Sequence, residues 1–152
     1  MIRVKRIDHV AIAVADRDAC AHDLVTLFGL APGAREHVAN QATDVAFLHA
    51  GQATNDDGAA LEICAPAASG GNAGLARFLA SRGPGLHHVC LEVEDLPAAL
   101  ATLKAAGVRL IDETPRLGAR GHQVAFLHPA ATGGVLFELC AAGSGTETGP
   151  AA

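Results

Sequence analysis

The chain is written twice, and that repeat limits its fold more than any single motif does. Asp8 to Val14, DHVAIAV, returns as His87 to Val93, HHVCLEV, so that His9 falls on His88, 79 positions later. Asp16 falls on Asp95 at the same spacing. DVAFLHA, from Asp44, returns as QVAFLHP, from Gln123, which sets Phe47 on Phe126 and His49 on His128. ALEIC, Ala60 to Cys64, answers LFELC, Leu136 to Cys140, and pairs Glu62 with Glu138. This last match is three positions short, and the difference falls in the polar loop Gln52 to Gly58, where extra residues cost little.

Periodicity gives each half the same elements. A β-branched run ends near Val14, and Asp16 caps a helix with Ala21, Leu24, Val25 and Phe28 at helical spacing. Asp95 caps its counterpart, whose apolar stripe is Leu96, Ala99, Leu100 and Leu103. Three strands follow in each half, at about 33–38, 43–50 and 59–65, then 108–113, 122–128 and 134–140. A further helix over 72–81, with Leu75, Phe78 and Leu79 as its apolar face, links the halves. One helix cannot cover both faces of a four-stranded sheet, so the two units must combine. The expected architecture is α+β: one domain, residues 1–141, made of two tandem βαβββ modules (about 5–68 and 85–141) that pair their sheets around a metal-binding cavity. The small and polar residues 142–152 are expected to form a disordered tail.

Strand alternation selects the residues that face this cavity. Val10, Ile12 and Val14 pack on the helix, leaving His9, Ala11 and Ala13 opposite; Val89, Leu91 and Val93 likewise leave His88, Cys90 and Glu92. In the last strands Glu62 and Glu138 share the open face. Two imidazoles and two carboxylates related by the repeat suit a divalent cation such as Co, Ni, Mn, Zn or Fe, with two octahedral positions left for a ligand. His87, at the repeat position of Asp8, is expected to face away and to be structural. His49 and His128, at strand ends, have the same reading. Cys64, Cys90 and Cys140 share the inner face as small packing residues.

Composition removes other functions. A net charge of −5 leaves no basic face for nucleic acid, and five Phe without Trp or Tyr leave no aromatic stacking platform. No apolar run approaches the roughly 18 residues a membrane span needs. Four widely spaced cysteines with no signal sequence ahead of them point to a reducing cytoplasm.

At IDHVAIAV, RGPGLHHVCLEVEDLPAALATLKAAGVRLIDETPR, VAFLHP and TGGVLFELC, the sequence resembles the vicinal oxygen chelate superfamily and, within it, the methylmalonyl-CoA epimerase family. The resemblance runs from Arg6 to Cys140. It implies that His9, Glu62, His88 and Glu138 ligate the metal, commonly cobalt. The implied reaction interconverts (2R)- and (2S)-methylmalonyl-CoA by proton removal and return at C2, with Glu138 as one acid/base and a homodimer as the working form.

The sequence also departs from that family. Where some members carry a second acid/base Glu, this chain has Val45; the adjacent Asp44 could serve only through a bulge or register shift. The family's EQG turn is Asn40, Gln41, Ala42. Its GAHG turn is GARG, with Arg120 in place of His, and the Lys after the late HP pair is Ala130. Gln41 and Arg120 are candidate substrate contacts, and Arg82, Lys104, Arg116 and Arg120 are candidates for coenzyme A phosphates by charge alone. A glyoxalase I-like isomerase and a metal-free, bleomycin-resistance-like binding protein are the alternative functions.

Overall fold

The computed structural model describes residues 1–51, 58–71 and 73–142. The polar loop after Gly51 and the tail after Ala142 therefore lie outside the described residues, apart from Gly58. In chain order the elements are β1 (Val4–Ala13), α1 (Arg17–Phe28), β2 (Ala31–Val38), β3 (Thr43–His49), β4 (Ala60–Pro66), α2 (Ala73–Arg82), β5 (Gly85–Val93), α3 (Leu96–Ala105), β6 (Arg116–Leu117), β7 (Gln123–Leu127) and β8 (Leu136–Ala141).

The helices begin where polar side chains can replace missing backbone partners. Asp16 accepts the Ala19 N–H at 2.9 Å, and Asp95 accepts that of Ala98 at 2.8 Å. α1 stops at Gly29, whose left-handed φ of 66° lets its N–H reach the Val25 carbonyl. The apolar stripe of α3 packs as expected, with Leu96, Ala99 and Leu100 buried. That of α1 is narrower than expected: Ala21, Leu24 and Val25 face the sheet, whereas Phe28 is 70% exposed.

All eight strands form one sheet in the order β2-β3-β4-β1-β5-β8-β7-β6. Within each module the first strand runs parallel to the last, β1 with β4 and β5 with β8. The modules join edge to edge through the antiparallel pair β1–β5, so the pairing of sheets is a continuous ladder. The sheet curls until its two ends approach each other. Asn40 donates to the Leu117 carbonyl at 2.7 Å, and the Arg120 N–H is held by the Glu36 carboxylate at 2.9 and 3.0 Å.

The expected strand 108–113 is broken. Only Leu110 bridges β7, at Leu127. The N–H groups of Ile111 and Asp112 converge on the Phe126 carbonyl (2.9 and 3.1 Å), while the Asp112 carboxylate takes the Phe126 N–H at 2.8 Å. A side chain thus replaces the ladder acceptor. The edge strand is instead Arg116–Leu117, just after Pro115.

Alternation separates two cores as the sequence implies. Ala46, Leu48, Ile63 and Ala65 pack under α1, and Ala125, Leu127 and Leu139 under α3. On the inner face of the first module, Ala11, Ala13, Val45, Phe47 and Cys64 are covered by Leu75, Phe78 and Leu79 of α2. Among the described residues no helix is long and apolar enough to cross a membrane.

Candidate metal centre

β1 and β5 run side by side at the middle of the sheet, flanked by β4 and β8, so four strands deliver one polar residue each to the same point. His9, Glu62, His88 and Glu138 are all buried, between 5% and 7% exposed. The two Nε2 atoms are 3.2 Å apart. A Glu138 oxygen lies 3.3 Å from Nε2 of His9 and 3.2 Å from that of His88. A Glu62 oxygen lies 3.5 and 3.7 Å from the same two nitrogens.

These separations fit one cation. With bonds of about 2.1 Å, neighbouring ligands of a single ion stand about 3.0 Å apart in an octahedron and about 3.4 Å in a tetrahedron. The donor set, two imidazoles and two carboxylates, is that of a borderline divalent ion. Repeat-related rings steady the imidazoles: Phe47 lies edge-on to His9 at 5.6 Å, and Phe126 edge-on to His88 at 5.2 Å.

The electrostatics are those of a site built for positive charge. Burial by itself would lower the pKa of His9, but hydrogen bonds to Asp8 and Glu138 and the charges of Glu62 and Glu138 raise it to about 10. Burial likewise opposes ionisation of Glu138, yet the hydrogen bonds and charges of the two imidazoles hold it well below the usual carboxylate range. Glu62 shifts the other way: burial pushes it up, only partly offset by His9 and His88. A proton on His9 and a metal ion compete for one lone pair.

Parity fails at two positions, and both failures matter. Asp8 and His87 were expected on the outer side. Instead a bulge in the β1–β5 ladder turns each inward, onto the imidazole that follows it. Asp8 Oδ2 is 2.7 Å from His9 Nδ1, and His87 Nδ1 is 2.9 Å from His88 Nδ1. Asp8 is wholly buried and is also bound by Arg6 at 3.1 Å and by Arg120. Burial would raise its pKa, but its bond to His9 and the charge of Arg120 lower it to about 2. Nothing in the alternation announced the bulges. Their only signal was that a polar residue precedes both repeated histidines.

The other expected site residues fall in different places. Asp44 stays on the outer side of β3, where His37 holds its carboxylate at 2.8 Å, while Val45 is packed inside; no bulge brings Asp44 to the cluster. Gln41 lies in the turn after β2, its carbonyl engaged by the Thr43 hydroxyl. Arg120 reaches inward, with its guanidinium 4.3 Å over the Phe47 ring, and contacts Asp8. Its Nε is buried without a hydrogen-bond partner among the described residues. The His128 ring accepts the Ala130 N–H and so has a capping contact.

A cavity of about 650 Å³ opens beside His88, between α2 and the second module. Leu75, Phe78, Val135 and Leu136 give it an apolar wall, and Arg77, Arg82 and Arg116 supply cationic groups. Of the cations proposed for phosphates, Arg82 and Arg116 line this cavity. Lys104 is instead paired with Glu113 on the exposed surface.

Residues 8–126 match the Glyoxalase/Bleomycin resistance protein/Dioxygenase superfamily, and the chain belongs to that superfamily. Within it, the similar proteins include methylmalonyl-CoA epimerases. The ethylmalonyl-CoA/methylmalonyl-CoA epimerase of Cereibacter sphaeroides is 36% identical over 139 residues, covering 90% of this chain and 97% of that protein. The mitochondrial methylmalonyl-CoA epimerase of Bos taurus is 33% identical over 135 residues, 88% of this chain and 73% of the relative. Among solved structures, Streptomyces coelicolor methylmalonyl-CoA epimerase in complex with 2-nitronate-propionyl-CoA superposes with a TM-score of 0.84 at 29% identity, covering 93% of this chain and 97% of that one.

Proposed function

We propose that this protein is a metal-dependent epimerase that interconverts (2R)- and (2S)-methylmalonyl-CoA by removing and returning the proton at C2. The observation that carries this reading is the convergence of His9, Glu62, His88 and Glu138, within 3.2 to 3.7 Å across each imidazole–carboxylate pair, beside a cavity with cationic and apolar walls. The relatives supply the substrate class.

When bound, a divalent cation, with cobalt first and nickel, manganese or zinc as substitutes, supplies the positive charge that stabilises the enolate as the C2 proton leaves. His9, Glu62, His88 and Glu138 hold it. Inversion needs an acid/base group on each face of the planar enolate, and Glu138 is one of the two: its carboxylate is buried and fixed in the cluster, where it exchanges the C2 proton on its own face. The cavity beside His88 offers the acyl thioester an apolar wall, and its arginines suit the phosphates of coenzyme A. Arg120 and Gln41 remain proposed substrate contacts outside the lining of this cavity, Arg120 through the guanidinium that also meets Asp8 and Phe47. A homodimer in a reducing cytoplasm completes the reading, supported by exposed Ile7 and Leu86 on the two central strands and by four free cysteines.

The test is incubation of the cobalt-loaded protein with methylmalonyl-CoA in deuterated water, following the C2 proton by NMR. Loss of that signal at a catalytic rate is expected. No exchange above the buffer background, with metal bound, would overturn the epimerase assignment in favour of a glyoxalase I-like isomerase. Failure to bind any divalent metal would instead favour the metal-free binding protein.

A further inference from the structure

Two of the three register shifts in the central ladder fall at repeat-related positions. Pairing passes from Ile7↔Leu91 to His9↔Cys90, leaving Asp8 without a partner residue. It then passes from Ala11↔His88 to Ile12↔Leu86, leaving His87 without one. Asp8 and His87 occupy equivalent positions in the two halves, each immediately before a candidate metal ligand. A regular strand would turn adjacent side chains to opposite faces; the extra residue of a bulge brings the pair to one side.

Proton bookkeeping fixes what each contact can be. If His88 binds a cation through Nε2, that nitrogen is bare and its one proton sits on Nδ1. The 2.9 Å contact between the two Nδ1 atoms then requires a bare Nδ1 on His87, which keeps its own proton on Nε2. A charged His87 could not accept this bond. The ring is also held in place, edge-on to Phe78 at 4.9 Å and at 76° to His88.

We propose that His87 is a positioning residue of the metal centre: it accepts the Nδ1–H of His88 and so fixes the tautomer and ring angle that aim Nε2 at the ion, as Asp8 does for His9. The inference rests on the metal-binding part of the proposed function. It gives the two halves unlike supports. His9 is backed by a carboxylate held by Arg6 and Arg120, and His88 by a neutral imidazole. An outer partner of this kind is typically worth about 10- to 100-fold in metal affinity.

The experiment compares cobalt affinity, by chelator competition, and the visible spectrum of bound cobalt in the wild type, His87→Phe and His87→Asn. Phe keeps a ring against Phe78 but offers no acceptor; Asn places an oxygen near the position of Nδ1. The expected result is affinity about 10- to 100-fold weaker with a shifted spectrum for Phe, and recovery to within about threefold of wild type for Asn. An unchanged affinity and spectrum in His87→Phe, or equal weakening by Asn and Phe, would overturn the proposal, since a packing role does not distinguish acceptors. Long-range proton–nitrogen NMR of the zinc-loaded wild type tests it without any variant: His87 should be protonated on Nε2 alone and His88 on Nδ1 alone, and a proton on His87 Nδ1 would contradict it. A wild type that takes up no divalent ion overturns this inference and the metal reading together; uptake with His87→Phe unaffected overturns this inference alone.

Discussion

At Glu138 burial and neighbouring charge oppose each other, and charge prevails: two imidazoles hold the carboxylate ionised in a site where water is scarce. Replacing it with Gln keeps an oxygen for the metal and removes the base, so C2 proton exchange should fall by about 10²- to 10⁴-fold while a bound ion is retained. Exchange in deuterated water combined with metal analysis separates the two roles; normal exchange by Glu138→Gln would remove it from proton transfer. Asp8 makes a prediction in pH. Its pKa falls from 3.8 to about 2 on folding, so its stabilising contribution is present above about pH 4 and is lost as pH falls through the folded value. The loss amounts to about 2 kcal/mol. Urea midpoints between pH 5 and pH 2 should show this acid limb in the wild type and a shallower one in Asp8→Asn. The four candidate ligands stood out in the sequence because each pair recurs across the two halves, and the structure brings the four side chains together. Asp8 and His87 were misread because a bulge breaks the period-two alternation on which facing arguments depend.

The elements follow their local chemistry where one signal acts alone. Asp16 and Asp95 start their helices as written, and removing the Asp95 cap by Ala should cost about 1 kcal/mol. Periodicity overstated α1, however, because its spacing cannot tell how far the sheet extends beneath a helix end. Leu100→Ala in α3 should therefore cost about 2 to 5 kcal/mol, whereas Phe28→Ala in α1 should change stability by less than about 0.5 kcal/mol. Denaturant melts of the two variants check this; equal losses would mean that Phe28 is packed. The strand expected at 108–113 failed for a related reason. Its apolar residues fit a strand, but the Asp112 side chain takes the Phe126 N–H that a ladder carbonyl would have received. Competition between a side chain and the backbone is not visible in hydrophobic pattern.

Over the whole molecule, neither half holds the whole candidate site. One supplies His9 and Glu62, the other His88 and Glu138, and the β1–β5 ladder brings them together. The far ends of the sheet meet as well, through Glu36 with Arg120 and Asn40 with Leu117, so the ligand cluster lies inside a curl closed by contacts far apart in sequence. The repeat made this shared centre readable, while the route of closure depended on a GARG turn whose Arg120 φ of 56° and inward reach no motif encodes. Calorimetric titration of the metal-free chain with cobalt tests the shared site most directly. One ion should bind per chain, and His9→Ala and His88→Ala, one from each half, should each abolish tight binding. Two ions per chain, or tight binding that survives either substitution, would contradict a single centre built by both halves.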